Sequence, residues 1–132
     1  MTGERDLGNL VASMSPALMD GEYVFCTFQD AQYGDHSDLE PVAAIKESEG
    51  LTLIIPKSKA DDKSYSYESV FKGITLSIHS SLDAVGLTAA FSSKLTEHGI
   101  SANVIAGYYH DHIFVQSELA DKAIEALNEL AR

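Results

Sequence analysis

The chain has 132 residues, 45% of them hydrophobic and 22% charged, with a formal net charge of −11. That length suits one domain or two very small ones, and that balance suits a packed soluble fold rather than a disordered chain. The acidic surplus is −7 over residues 1–66 and −4 over residues 67–132; it repels phosphate backbones and argues against a nucleic-acid partner, while no apolar run reaches the roughly 18 residues of a membrane span.

Leu7, Leu10, Val11 and Met14 fall at i, i+3, i+4 and i+7, which predicts a short amphipathic helix over residues 6–14, with Asp6 at its start and Pro16 stopping it. The first residues lack a basic start followed by a long apolar core, so no secretory leader is expected. Asp20-Gly21 is a turn signal. Tyr23–Phe28, YVFCTF, is apolar nearly throughout and predicts a strand covered on both faces. Cys26, the only cysteine, lies inside it and reads as a buried structural thiol. With no intrachain disulfide available, the expected compartment is the reducing cytoplasm.

Residues 30–39, DAQYGDHSDL, are polar and predict an exposed loop. Pro41 suits the first turn of a short helix over residues 41–48, with Val42 and Ile45 facing inward and Gly50 ending it. Residues 51–55 form a second buried strand before Pro56. Residues 57–66, KSKADDKSYS, lack an apolar period and read as a link, with a helical turn over residues 58–62. This divides the chain into an N-terminal half, residues 1–66, and a C-terminal domain, residues 67–132.

The second half carries the clearest pattern. Ile74, Leu76 and Ile78 alternate with Thr75, Ser77 and His79, the period of a half-buried strand. After a turn-prone run, Leu87, Ala90, Phe91 and Leu95 switch to helical spacing. Gly99 suits the position past the helix end. Residues 102–108 and 112–116 are two further strands, and residues 119–131 a helix with Ala120, Ala123, Ile124, Leu127 and Leu130 as its apolar stripe.

That order, with HSSLDAVGLTAAF at the strand–helix junction and ISANVIAGYYHDHIFV as the hairpin, resembles an ACT domain, an amino-acid-sensing regulatory module. It is similar to small stand-alone ACT-like proteins and to the paired ACT regions of aspartate kinases and arginine sensors. EYVFCTF followed by EGLTLIIPK resembles the first half of that family. The implied fold is α+β and ferredoxin-like, an antiparallel sheet with helices on one face. A full unit needs a fourth strand, and the C-terminal half supplies three. Two interleaved ACT-like halves are therefore expected, with a strand near Tyr23–Phe28 completing the C-terminal sheet.

The turn over residues 79–87 can hold a small carboxylate. A helix start presents unpaired amide groups and a partial positive charge. Ser80 and Ser81 bring short hydroxyls, and Asp83 can face an ammonium group. The resemblance implies that Ser80, Ser81, Asp83, Ala84, Val85, Gly86 and Leu87 line an effector site at an ACT–ACT interface. It implies that Asn103, Ile105, Ala106 and Gly107 of the hairpin, with Asp111 in its turn, meet the ligand there. The same residues also fit a purely structural role, with Asp83 capping the helix and Tyr109-His110-Asp111 a polar turn.

The expectation is a non-catalytic module binding an amino acid, with no cofactor, in a homodimer or higher oligomer, acting on an enzyme or transporter. One alternative is an oligomerisation or docking module with an empty turn. Another is a small metal-binding protein using His79, His110 and His112. No GxSxG elbow, HExxH pair or phosphate-binding GxxxxGK[ST] loop is present, which argues against the corresponding hydrolase, zinc-protease and ATPase chemistries.

Overall fold

The structure is a computed structural model and describes residue 8 and residues 14–77 and 86–131. Within these it has seven strands and three helices. The chain divides into two compact units, residues 21–71 and the larger unit built from residues 1–20 and 72–132. The helix expected over residues 6–14 falls outside the described residues except for Gly8, which is helical, and Met14, which is not.

In the larger unit the strands are β1 (Pro16–Leu18), β5 (Phe71–Leu76), β6 (Asn103–Ala106) and β7 (Asp111–Gln116). Their order is β1-β5-β7-β6. Helix α2 (Leu87–Glu97) lies between β5 and β6 in the chain, and α3 (Ala120–Ala131) follows β7 through a 3-10 turn. Phe91, Leu95, Ala123 and Leu127 from the helices pack with Ile74, Leu76, Ile113 and Val115 from the strands. Alternation puts those four strand residues on one face, so the helices cover that face. Leu87, Phe91 and Leu95 are all buried, as four-residue spacing predicts. The helix ends where Ile100 N–H donates to the Leu95 carbonyl at 3.0 Å beyond Gly99, whose φ is 71°; this 6→1 bond satisfies one of the last carbonyls.

The fourth strand comes from the start of the chain, as interleaving requires, but its identity differs from expectation. Pro16, Ala17 and Leu18 pair with Leu76, Thr75 and Ile74. Tyr23–Phe28 instead forms β2 and pairs along its full length with β4 (Gly50–Pro56). Only Tyr23 faces a β5 residue, Phe71. The apolar run of β2 is the stronger strand signal in the sequence; a three-residue strand of Pro, Ala and Leu carries too weak a period to show beside it.

In the smaller unit the order is β3-β4-β2, with β3 spanning Ala43–Glu47. The helix expected over residues 41–48 is absent: that stretch is strand and turn. Val42 and Ile45 are 44% and 48% exposed rather than turned inward. Ala44, Lys46 and Glu47 favour helices, but a two-residue turn between Glu47 and Gly50 folds this stretch onto β4 as an edge strand, and pairing overrides propensity. Helix α1 (Lys57–Asp62) occupies the stretch read as a link, and its Ala60 is fully buried. Val24, Cys26, Leu51, Leu53 and Ile55 form this unit's own core with Ala31 and Leu39.

Candidate functional site

Gly86 stands at the entrance to α2 with φ 92°. Glycine takes this left-handed conformation without the Cβ clash that other residues incur. Its carbonyl accepts the Ala90 N–H at 2.9 Å, the first bond of the helix. Having no side chain, it places no cap over the amides of the first turn, and eleven aligned peptides give that end a partial positive charge. Leu87 is 4% exposed and belongs to the core, so its side chain anchors the turn. Ser80, Ser81, Asp83, Ala84 and Val85, together with His79, lie outside the described residues.

The hairpin residues fall at defined positions. Asn103 donates its side-chain amide to the Phe114 carbonyl at 3.0 Å, so part of its hydrogen-bonding capacity is spent fixing the β6–β7 register. Ile105 opposes His112, and Ala106 opposes Asp111. Gly107 donates its N–H to the His110 carbonyl at 2.9 Å. A Cβ on Gly107 would meet that carbonyl oxygen at 2.8 Å, too close for any other residue without a backbone shift. Tyr108 and Tyr109 form the exposed tip, edge to face at 5.0 Å.

Asp111 begins β7 and shares the face of Ile113 and Val115. It is half-buried, and burial pushes its carboxyl above the ordinary value while His112 and His110 pull it back. His112 lies on the opposite face, where its Nδ1 is 3.3 Å from Thr75 Oγ1. Burial pushes its imidazole below the ordinary value, His110 acts in the same direction, and Asp111 opposes them. The Thr75–His112 contact places the start of β7 beside the end of β5, the strand from which the chain proceeds to Gly86. In the sequence Thr75 stands out only as a polar position of the β5 alternation and His112 as a candidate for a metal site, a ligand cleft or an interface; the β5–β7 pairing joins them.

Among the described residues no group of three His, Cys, Asp or Glu side chains converges as a metal site. His110 is exposed in the hairpin turn. Cys26 is buried with its sulfur 3.6 Å from the Ser66 carbonyl, and burial pushes its thiol up. A thiol so placed is further from the reactive thiolate than a free one. No helix among the described residues is long and apolar enough to cross a membrane.

Two family models, each described as an ACT domain, match residues 2–72 and 68–129. A Vibrio cholerae protein of unknown function, described as a possible transport protein, is 56% identical, with 96% of each chain covered and a TM-score of 0.87. An Agrobacterium tumefaciens protein is 14% identical over 89% of each chain, with a TM-score of 0.69. The ligand-free regulatory subunit of Thermus thermophilus aspartate kinase is 10% identical, covering 89% of this chain and 97% of its own, with a TM-score of 0.65. The latter two identities speak for the fold alone. No curated protein matches the chain at a significant level. Tandem family matches, two strand-connection-strand-strand-helix runs and a fourth strand borrowed from the chain's start agree: this chain belongs to the ACT-domain family, with two tandem ACT units.

Proposed function

We propose that this chain is a non-catalytic sensor that binds an amino acid or similar small carboxylate where α2 begins. The ligand carboxylate faces the amides beside Gly86 and Leu87, with Ser80, Ser81, Asp83, Ala84 and Val85 lining the preceding turn. Asn103, Ile105, Ala106, Gly107 and Asp111 contribute the hairpin side, and a second copy of the chain closes the site. Asp111 suits the ammonium group of an amino acid, because a cation would stabilise its charged form against burial. The observation that carries this reading is membership of the ACT family combined with a helix start whose cap residue has no side chain.

The mechanism is linkage. A ligand that prefers one packing of the dimer over another shifts the population by its differential affinity, and an enzyme or transporter in the cytoplasm reads the shift. Thermal unfolding with each of the twenty amino acids tests this. A true ligand at a hundred times its dissociation constant stabilises the folded protein by about 2.7 kcal/mol. A folded protein whose transition moves with none of them contradicts it.

A further inference from the structure

We infer that each chain takes one carboxylate ligand rather than two, because the smaller unit closes its own equivalent corner with Asp35; this rests on the reading proposed for α2. The two units share a plan. One runs β2, connection, β3, β4, α1; the other runs β5, α2, β6, β7, α3. Their strand orders correspond, β3-β4-β2 and β6-β7-β5. If the corner after β5 holds a ligand, the corner after β2 is where a second would be sought.

That corner is already occupied by the chain itself. After β2 no helix begins: the connection holds only a three-residue 3-10 turn, Ser37–Leu39. The Ala31 N–H donates to the Phe28 carbonyl at 3.3 Å, and the Gln32 N–H donates to Asp35 Oδ2 at 2.8 Å. At the exposed surface of the connection a side-chain carboxylate three residues on thus accepts from the Gln32 amide, leaving that amide engaged by the chain itself. The Lys46 N–H donates to the Tyr33 hydroxyl at 3.0 Å, and the Lys46 ammonium donates to the Ala31 carbonyl. The His36 ring stacks on Phe28 at 4.1 Å. Leu39, 1% exposed, plugs the core beneath. Ion pairs Asp38–Lys63 and Glu40–Lys59 tie the connection to α1 and the residue after it. Asp30, Asp35, Asp38 and Glu40 also give the loop four acidic side chains, a poor setting for a further anion.

Native mass spectrometry of the 14.3 kDa chain with an equimolar mixture of the twenty amino acids reads the stoichiometry. The expected result is one adduct per chain, and two per chain overturn the inference while leaving the sensor reading intact. Absence of any adduct overturns the sensor reading and the single-ligand count with it, and amide exchange of the ligand-free protein then tests the closed corner by itself. Slow exchange at Gln32, Leu39 and Lys46, with exchange at Gln32 up to about tenfold faster in Asp35→Ala, supports a self-closed corner. Exchange of all three amides at the rate of an open loop overturns it.

Discussion

The two units build the same strand order with different material over the sheet. In the larger unit the connection after β5 carries an eleven-residue helix, whose Leu87, Phe91 and Leu95 enter the core. In the smaller unit it is a loop held by Ala31, Leu39 and the Phe28–His36–Tyr65 ring cluster. A sheet face needs apolar cover, but helix and plugged loop both provide it. What differs is the chemistry left at the corner. A helix opened by glycine receives no cap from the side chain of that residue, whereas the loop spends an amide on its own carboxylate.

The comparison breaks first at the two plugs. Phe91→Ala is expected to cost about 3–5 kcal/mol and Leu39→Ala about 2–5 kcal/mol, since both empty fully buried space. Urea denaturation followed by circular dichroism reads both. A cost below about 0.5 kcal/mol for Leu39→Ala would mean that the loop covers nothing, and the equivalence of the two connections fails.

A smaller effect is expected at Gly86. Alanine at φ 92° is expected to cost roughly 1–2 kcal/mol of stability, and binding of whichever amino acid stabilises the protein most should weaken with it. Unchanged affinity in a folded Gly86→Ala protein would separate the helix start from recognition.

The smallest effect sharpens the role of the face that carries His112. Its folded-state pKa lies below the ordinary value of 6.5, chiefly through burial. On acidification the unfolded chain therefore takes up this proton first. Stability from neutral His112 is present above pH 6.5 and is lost as pH falls toward the folded-state pKa. His112→Gln should flatten the decline in melting temperature just below pH 6.5. An unchanged slope there would show that His112 titrates alike in both states.

How much was legible follows from the strength of each period. Leu87, Phe91 and Leu95 repeat at helical spacing over a little more than two turns, and the alternating runs that follow make the hairpin legible as well. The β2 and β4 strands were equally plain, being continuous apolar runs. Residues 43–47 misled because Ala44, Lys46 and Glu47 favour helix, and the pairing that makes them a strand lies in β4. Residues 16–18 are too few to show any period, so sequence alone favours β2 over β1 as the strand completing the larger unit. At the site, Gly86 is visible as a glycine in a turn, whereas Gly107 falls within the strand expected over residues 102–108 and lies just past β6, which ends at Ala106. The use of Asn103 within the hairpin, the half-burial of Asp111 and the Thr75–His112 contact depend on cross-strand register, which no local pattern encodes.

The central claim is most directly tested by amide chemical shifts recorded while titrating the amino acid that stabilises the protein most. Binding at the start of α2 predicts the largest changes at Gly86 and Leu87, with further changes at residues 103–107 and 111, and flat signals at Gln32, Asp35 and Leu39. Saturable changes concentrated at residues 29–42, with Gly86 and Leu87 unmoved, would contradict it.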